Sequence, residues 1–170
     1  FKTLGTNVQQ MEQFLCNVRN CYHNDLPYHN YEHAVDTVQM MYILIICVNS
    51  LTIRDDEIDE SDDDRLHNSD NEDDSKQNEE ENSVFFDDYQ VAALMLSSLL
   101  HDVGHDGFDS EFLKLTKSPL IYAYGDTSIL EHHHLSIAVR LLQDYLIFDR
   151  SEINSNDDFW SLLTDLVIST

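Results

Sequence analysis

The chain has 170 residues and a formal net charge of −24 at pH 7, a length that allows one domain, or part of one, with a hydrophobic core. Such a charge repels a phosphate backbone, which excludes nucleic acid as an expected partner. A small anionic substrate stays possible, because divalent cations reverse the local potential of a site.

The cysteines and the apolar runs are typical of a cytoplasmic protein. Cys16, Cys21 and Cys47 lack the even number and the spacing of a disulfide framework, so we expect reduced thiols in the core. The most apolar run, from Met40 to Val48, is too short to cross a bilayer. The first residues also lack the basic and apolar regions of a signal peptide. We therefore expect a cytoplasmic chain without a membrane segment of its own.

Two amphipathic helices are predicted before residue 50. In the first, apolar residues recur at three- and four-residue steps behind Thr6 and Gln9, a pair typical of a capping box. The second is predicted from about Asn30 to Asn49. The apolar stripe of the first helix is Val8, Met11, Leu15, Val18 and Tyr22, and that of the second is Ala34, Val38, Met41 and Ile45.

Residues 54–83 form a strongly acidic segment. They hold fifteen Asp or Glu against three basic residues, which accounts for half of the formal charge of the chain. Because the segment has few large apolar residues, it cannot bury enough surface to offset the entropy of ordering, and we predict a disordered insertion. A solvated spacer is the simpler interpretation, and a regulatory or partner-binding segment is the alternative.

The remaining pattern is helical. The segment Val91–His101 is apolar nearly all round, which is typical of a helix at the centre of a helical domain. Four more helices are predicted beyond it from apolar periodicity and from turn signals. The first is a short helix after Gly107, and the second runs from Ser118-Pro119 to Gly125. The third begins with a capping box of Ser128 and Glu131 and runs through Tyr145. The last begins near 156–158 and buries Phe159, Leu162, Leu163 and Leu166. No strand pattern competes, so the predicted fold is all-α.

A histidine and an aspartate stand together at the end of the apolar helix. His101 and Asp102 are adjacent, and His105 follows one helical turn later, on the same side. An imidazole with a carboxylate is a mixed ligand set that suits zinc together with magnesium or manganese. The alternative interpretation is a set of polar residues at a helix end.

Two further histidine clusters accompany this motif. His29 and His33 are four residues apart and can face one centre, although this spacing also occurs by chance on surfaces. The run 132–134 is three histidines between Leu130 and Leu135, an internal position that argues against a tag. Because a histidine on an apolar face is more often a core residue than a ligand, at least one of the three should be structural.

The content and order of these motifs resemble the catalytic domain of class I cyclic nucleotide phosphodiesterases. The resemblance covers nearly the whole chain outside the acidic segment. It implies a multi-helical HD-type phosphohydrolase fold that is incomplete at its C-terminus, with residues 1–170 as the amino-terminal part of one catalytic domain. The stretches that carry it are Tyr28-His29-Asn30-x-x-His33-Ala34-x-Asp36-x-x-Gln39, His101-Asp102-Val103-Gly104-His105-x-Gly107, Ser118-Pro119-Leu120, Tyr124 and Ser128-Ile129-Leu130-Glu131-His132-His133-His134.

The resemblance implies a function and a set of site residues. The implied reaction is hydrolysis of cyclic AMP, cyclic GMP or both to the nucleoside 5′-monophosphate, by two metal ions and a histidine general acid. Zn²⁺ is implied at the tighter site, and Mg²⁺ or Mn²⁺ at the second. The implied roles are His29 as proton donor, Glu131 to orient it, His33, His101 and Asp102 as metal ligands with Asp102 bridging both ions, His105 beside the water of the second ion, and Tyr28 in the substrate pocket.

The sequence departs from the family pattern at two places. Gly104 stands where many members carry an acidic residue, and Asp109-Ser110 stand where Asn-Asn is common. Asp and Ser also cap helices, so the second change should have a small effect. The family's further aspartate ligand and its purine-binding glutamine would lie beyond Thr170. We therefore expect an open, weak metal site in these residues alone, and the sequence leaves the choice between cyclic AMP and cyclic GMP open.

Two alternatives belong to other classes. A nucleotidase or guanosine-polyphosphate hydrolase of the HD superfamily would share the His…His-Asp chemistry, but it would not explain the Tyr-His-Asn and Leu-Glu-x-His-His features. The other alternative is a truncated, catalytically silent protein that binds metal or a partner.

Overall fold

The computed structural model describes residues 6–58, 86–145 and 153–170, and within these ranges it contains α-helices and no strand. The predicted all-α fold is confirmed. Most of the predicted acidic insertion, residues 59–83, lies outside the described residues. The helices are α1 (Val8–Cys21), α2 (Tyr31–Ile58), α3 (Asp88–Leu100), α4 (Ser110–Leu115), α5 (Pro119–Tyr124), α6 (Ile129–Tyr145) and α7 (Ile153–Ile168).

Helix α2 is longer than predicted. It ends at Ile58 rather than at Asn49, so the first residues of the predicted disordered segment, 54–58, are helical. The added turns contain neither glycine nor proline, and nothing in them interrupts the helical hydrogen bonds. The expectation of disorder is therefore wrong for these five residues.

Helix α3 lies at the centre of the core, as its composition predicts. It packs against α2 and α7, while α6 packs against α1, α5 and α7. This arrangement places the end of α3, where His101 and Asp102 follow, inside the bundle. The largest fully buried side chains are Phe14, Phe159, Leu100, Ile129, Leu142, Leu163, Val18, Val103 and Val167.

The capping box of α1 lies one residue later than predicted. The amide of Gln10 donates to Asn7 Oδ1 at 2.9 Å, and the amide of Asn7 donates to Gln10 Oε1 at 3.0 Å. The predicted pair, Thr6 and Gln9, has the same spacing but does not form the box. Asn ranks above Thr at this position, which favours the later start.

The buried face of α1 also differs from the prediction. Phe14 and Val18 are fully buried, whereas Val8 is 62% exposed and Leu15 lies at the surface. The predicted stripe is therefore right at Val18 and Tyr22 and wrong at Val8 and Leu15. The apolar residues of this helix outnumber its buried positions, so spacing alone did not select the correct ones.

The starts of the later helices match the prediction in part. Ser118 caps α5 and Gly125, at φ 86°, ends it, as predicted. The predicted capping box of Ser128 and Glu131 is wrong, because Ser128 adopts φ 46° rather than the extended conformation of an N-cap. Helix α7 begins at Ile153, before the predicted start.

The cysteines lie nearer the surface than predicted. Cys16 and Cys47 are exposed and Cys21 is partly buried, all three as free thiols, so the expectation of core positions is wrong for the first two. Among the helices of the described ranges, none combines the length and the apolar character needed to span a membrane.

Candidate metal centre

The first wall of the site is the start of α2. Asn30 Oδ1 accepts a hydrogen bond from the amide of His33 at 3.0 Å, and Asn30 Nδ2 donates to the carbonyl of Leu26 at 2.9 Å. Asn30 thus caps α2 and ties it to the preceding loop. His29 directly precedes the cap and has φ 40°, a left-handed conformation that non-glycine residues rarely adopt and that is typical of functional sites.

The second wall is the end of α3. His101 Nδ1 lies 3.0 Å from the carbonyl of Ser98, so this nitrogen carries the proton and Nε2 is left with its lone pair for a metal. The amide of Val103 donates to the carbonyl of Leu100 at 3.1 Å and closes a tight turn. The chain then passes through Gly104 at φ 78°.

Three side chains from these walls form one cluster, called here the ligand cluster: His33, His101 and Asp102. Asp102 Oδ2 lies 3.0 Å from His101 Nε2 and 3.5 Å from His33 Nε2. One ligand atom from each residue lies within 4.8 Å of the others. Two imidazole nitrogens and a carboxylate oxygen are a donor set that zinc and related divalent ions accept, so these residues fit a metal ion.

Metal binding requires an anionic Asp102 and neutral imidazole rings. Burial, followed by the neighbouring His101, lowers the pKa of His33. Burial opposes the charge of Asp102 as well, yet the hydrogen bond and charge of His101 lower the pKa of Asp102. For His101 burial also opposes the charge, but Asp102 raises its pKa. Asp102 is therefore an anion and His33 is mainly neutral near pH 7, whereas Asp102 favours the protonated ring of His101, which must release the proton on Nε2 to a bound metal.

His105 and His134 lie beside the ligand cluster. The amide of Gly107 donates to His105 Nδ1 at 2.9 Å, and burial, followed by repulsion from His29, lowers the pKa of His105. His105 is thus a neutral ring whose Nε2 carries a proton to donate. The buried ring of His134 stacks on it at 5.5 Å, and His134 Nδ1 donates to the carbonyl of Val103 at 2.9 Å.

The predicted acid His29 and its predicted partner Glu131 are called here the acid pair. Both ring nitrogens of His29 and Oε2 of Glu131 are buried, and none of them has a hydrogen-bond partner among the described residues. The ring of His29 packs against that of His105 at 4.1 Å. In this structure Glu131 does not hydrogen bond to His29, so its orienting role stays a prediction.

A cleft of about 490 Å³ opens next to the acid pair. Its lining includes Tyr28, His29, His105 and Phe108. The ring of Tyr28 is 60% exposed and packs over His33 at 4.3 Å. Six of the seven predicted site residues thus lie in one connected group of rings and carboxylate: Tyr28, His29, His33, His101, Asp102 and His105. The cleft gives a ligand access to this group.

Comparison with known proteins decides the family. Residues 28–170 match the sequence profile described as 3′5′-cyclic nucleotide phosphodiesterase. The chain belongs to the cyclic nucleotide phosphodiesterase family. It is 26% identical, over its full length, to a probable 3′,5′-cyclic-AMP phosphodiesterase of Caenorhabditis elegans, of which it covers 21%. It is also 26% identical, over 99% of its length, to 3′,5′-cyclic-AMP phosphodiesterase 4C of Rattus norvegicus, of which it covers 26%.

Solved structures of phosphodiesterase domains share the fold. The phosphodiesterase domain of the Salpingoeca rosetta rhodopsin phosphodiesterase matches with a TM-score of 0.71 at 19% identity, over 98% of this chain and 41% of that one. A second structure of the domain, from the fusion protein of the same choanoflagellate, gives 0.64 at 21% identity with the same coverage. The HD-type helical fold is confirmed. The chain spans about a fifth to a quarter of the curated relatives and two fifths of these structures.

The packing explains one departure of this phosphodiesterase chain from the family pattern. A Cβ atom at Gly104 would clash with the side chain of Ile137 and lie 3.5 Å from His133 Nε2. The positive φ of Gly104 strains any larger residue further. At the second departure, Asp109 caps α4 by accepting from the amide of Phe112 at 2.7 Å, so the expectation of a preserved helix start is confirmed.

Sequence reasoning missed three residues that shape the site. Asn30 carried a signal, since Asn before an apolar helix is a common cap. For His134, the sequence predicted only that at least one histidine of the run 132–134 is structural. Tyr22 was read as an apolar residue, but its hydroxyl donates to the carbonyl of Leu99 at 2.8 Å. No local pattern predicts this contact between residues 77 positions apart.

Proposed function

We propose that this chain provides the metal-binding wall and the general acid of a 3′,5′-cyclic nucleotide phosphodiesterase. The reaction is hydrolysis of the cyclic phosphate to a nucleoside 5′-monophosphate. The observation that carries the proposal is the ligand cluster, because it joins three predicted ligands from two distant parts of the sequence. The two curated relatives compared above are named as cyclic-AMP phosphodiesterases, which makes cyclic AMP the first substrate to test.

The ligand cluster would hold the tighter metal, proposed as Zn²⁺, through His33, His101 and Asp102. Asp102 would also reach a second ion, proposed as Mg²⁺ or Mn²⁺. When bound, such ions neutralise the phosphate and lower the pKa of water. The net charge of the chain repels an anionic substrate, so binding of a cyclic phosphate depends on this local neutralisation.

His29 is proposed to donate a proton to the departing 3′ oxygen. Its ring lines the cleft, and its buried nitrogens have no hydrogen-bond partner among the described residues, so a substrate that displaces the covering side chains would supply their first partner. Glu131 is proposed to orient the ring once substrate is bound, since catalytic hydrogen bonds often tighten only in the complex. The Nε2–H group of His105 is proposed to bind a water or phosphate oxygen. The ring of Tyr28 would form one side of the substrate pocket.

The direct test is hydrolysis by the intact protein that contains this chain. Purified protein is incubated with cyclic AMP and with cyclic GMP, with and without a chelator, and the products are separated by chromatography. We expect metal-dependent release of a nucleoside 5′-monophosphate. Absence of turnover with either substrate, in a protein that binds metal, would refute the proposal.

The two alternatives predict other outcomes in the same assay. A different HD-type phosphohydrolase would hydrolyse a linear nucleotide or a guanosine polyphosphate and leave cyclic nucleotides intact. A catalytically silent fragment would bind Zn²⁺ without turnover. The family match and the Tyr28-His29-Asn30 signature weigh against the first alternative, and assay of the 170-residue chain beside the intact protein tests the second.

A further inference from the structure

The end of helix α1 contacts the ligand-bearing turn on both sides of Asp102. The hydroxyl of Tyr22 donates to the carbonyl of Leu99 at 2.8 Å, three residues before Asp102. The amide of Gly104, two residues after Asp102, donates to the carbonyl of Cys21 at 3.1 Å. Helix α1 precedes residues 28–170, which match the family, and none of the predicted site residues lies in it.

The first contact satisfies a carbonyl that the helix itself leaves free. The last carbonyls of an α-helix lack partners within the helix, and a buried carbonyl without a partner is costly. At the end of α3, the carbonyl of Ser98 accepts a hydrogen bond from His101 Nδ1, and the carbonyl of Leu100 accepts one from the amide of Val103. The carbonyl of Leu99 lies between these two and accepts from Tyr22. The three bonds together fix where the helix stops and the ligand turn begins.

Tyr22 is rigidly held. Its side chain is 4% exposed, and its ring packs edge-on against Tyr31 at 6.0 Å. Tyr31 is the first residue of α2, the helix that carries His33. One aromatic contact and one hydrogen bond therefore connect Tyr22 with both helices that supply the ligand cluster.

We propose that Tyr22 is a positioning residue for the metal site: its hydroxyl sets the end of α3 so that His101 and Asp102 face His33. The inference rests on the proposed function, because the ligand cluster must bind a metal for Tyr22 to position it. Outer contacts that orient metal ligands change affinity about 10- to 100-fold when removed. Tyr22 acts through a backbone carbonyl, so we expect an effect near the lower value.

Tyr22→Phe tests the inference, since it removes the hydroxyl and keeps the buried ring. Zn²⁺ affinity of the 170-residue chain is measured by competition with a chromophoric chelator, after circular dichroism has verified the helical signal. We expect the dissociation constant to rise about tenfold. In the metal-free chain, the imidazole NMR signals of His101 should shift in Tyr22→Phe.

Two matched controls separate positioning from general destabilisation. Tyr31→Phe removes a hydroxyl from the neighbouring ring without affecting the Leu99 carbonyl. Val18→Ala weakens the packing of α1 in the core and removes no hydrogen bond to the turn, since the side chain of Val18 is apolar. Both should keep the parent affinity within twofold. If Val18→Ala weakens Zn²⁺ binding as much as Tyr22→Phe, or if Tyr22→Phe binds like the parent, the inference is wrong.

The failure of the proposed function gives a different result. A parent chain that binds no Zn²⁺ contradicts the metal site itself, whereas a parent that binds and an equal Tyr22→Phe variant contradict the inference alone. If Tyr22→Phe lacks the parent helical signal, the series is repeated in trimethylamine N-oxide, which strengthens the burial of apolar surface. The Zn²⁺ affinities of the parent, Tyr22→Phe and the two controls are then compared in the same way to test the inference.

Discussion

The ligand cluster and the acid pair differ in how the protein holds them. In the ligand cluster, Asp102 lies within 3.5 Å of both imidazoles, and the carbonyl of Ser98 contacts the ring of His101. In the acid pair, both ring nitrogens of His29 and Oε2 of Glu131 are buried without a partner among the described residues. A buried polar group without a hydrogen bond costs about 1–3 kcal/mol. The ligand cluster is thus held by contacts within the chain, whereas the acid pair has buried polar atoms that these contacts leave unsatisfied, which is consistent with the proposal that a substrate supplies their partners.

Loss of the shared carboxylate should have the largest effect. Asp102→Ala removes the group that contacts both His33 and His101, and it leaves only two imidazoles. We expect Zn²⁺ affinity to fall more than about 100-fold, beyond the range for outer contacts. Hydrolysis by the intact protein should then disappear. Asp106→Ala, a change at an exposed carboxylate near the site, is the control, and a metal content equal to that of the parent in Asp102→Ala would contradict the ligand assignment.

Loss of the proposed acid, His29, should reduce turnover without changing metal binding. His29→Ala in the intact protein should reduce turnover by about 100- to 10,000-fold, because the departing oxygen loses its proton donor. Metal content, measured by atomic emission, should equal that of the parent, since His29 lies outside the ligand cluster. His23→Ala changes an exposed histidine and should retain turnover. Unchanged turnover in His29→Ala would show that the acid is another group.

The extent to which sequence predicts these regions also differs. Apolar periodicity placed His101 and Asp102 at the end of an apolar helix, and the structure places that helix at the centre of the core. The prediction that His105 follows one helical turn later is wrong, because α3 ends at Leu100 and the chain reaches His105 through a turn with Gly104 at φ 78°. The contact of His33 with Asp102 spans 69 positions, and only the family resemblance predicted it. The contacts of Tyr22 and His134 with backbone carbonyls were not predicted, because they depend on how α1 and α6 pack against the end of α3.

The errors in the fold have a similar origin. Asn7 and Thr6 are both residue types that cap helices, so the sequence pattern alone did not decide which of them begins α1. The pattern also did not decide which of the apolar residues of α1 are buried. Helix α2 continues into the acidic segment because charge alone does not end a helix. Local signals therefore predicted which helices exist, while bounds and buried faces depended on tertiary contacts.

His134, which lies beside the ligand cluster, should make the free energy of unfolding depend on pH. Burial lowers its pKa to about 4, below the usual value of about 6.5 in an unfolded chain. Between these values the unfolded state binds more protons, so the free energy of unfolding falls as pH decreases. His134→Asn keeps a donor for the carbonyl of Val103 and cannot titrate. We expect its loss of stability between pH 7 and pH 5 in urea titrations to be about 2 kcal/mol smaller than in the parent, and an identical loss would contradict a buried neutral His134.

Replacement of Glu131 should have the smallest effect on turnover, because Glu131 is proposed to act only through His29. Glu131→Gln should reduce turnover about tenfold, because an amide orients His29 less strongly than a carboxylate. In the double variant with His29→Ala, it should cause no further loss, since the two residues act as a unit. Glu111→Gln, at an exposed carboxylate of α4, serves as control. Additive losses in the double variant would mean that Glu131 acts independently of His29.

The ligand cluster is the central claim, and X-ray absorption at the zinc edge of the Zn²⁺-loaded chain tests it most directly. Two imidazole nitrogens and a carboxylate oxygen should give a first shell of nitrogen and oxygen at about 2.0–2.2 Å, with imidazole scattering beyond it. The spectrum should lose the imidazole contribution in the double variant of His33→Ala and His101→Ala. A shell that contains sulfur at about 2.3 Å would indicate cysteine ligands and would contradict the account.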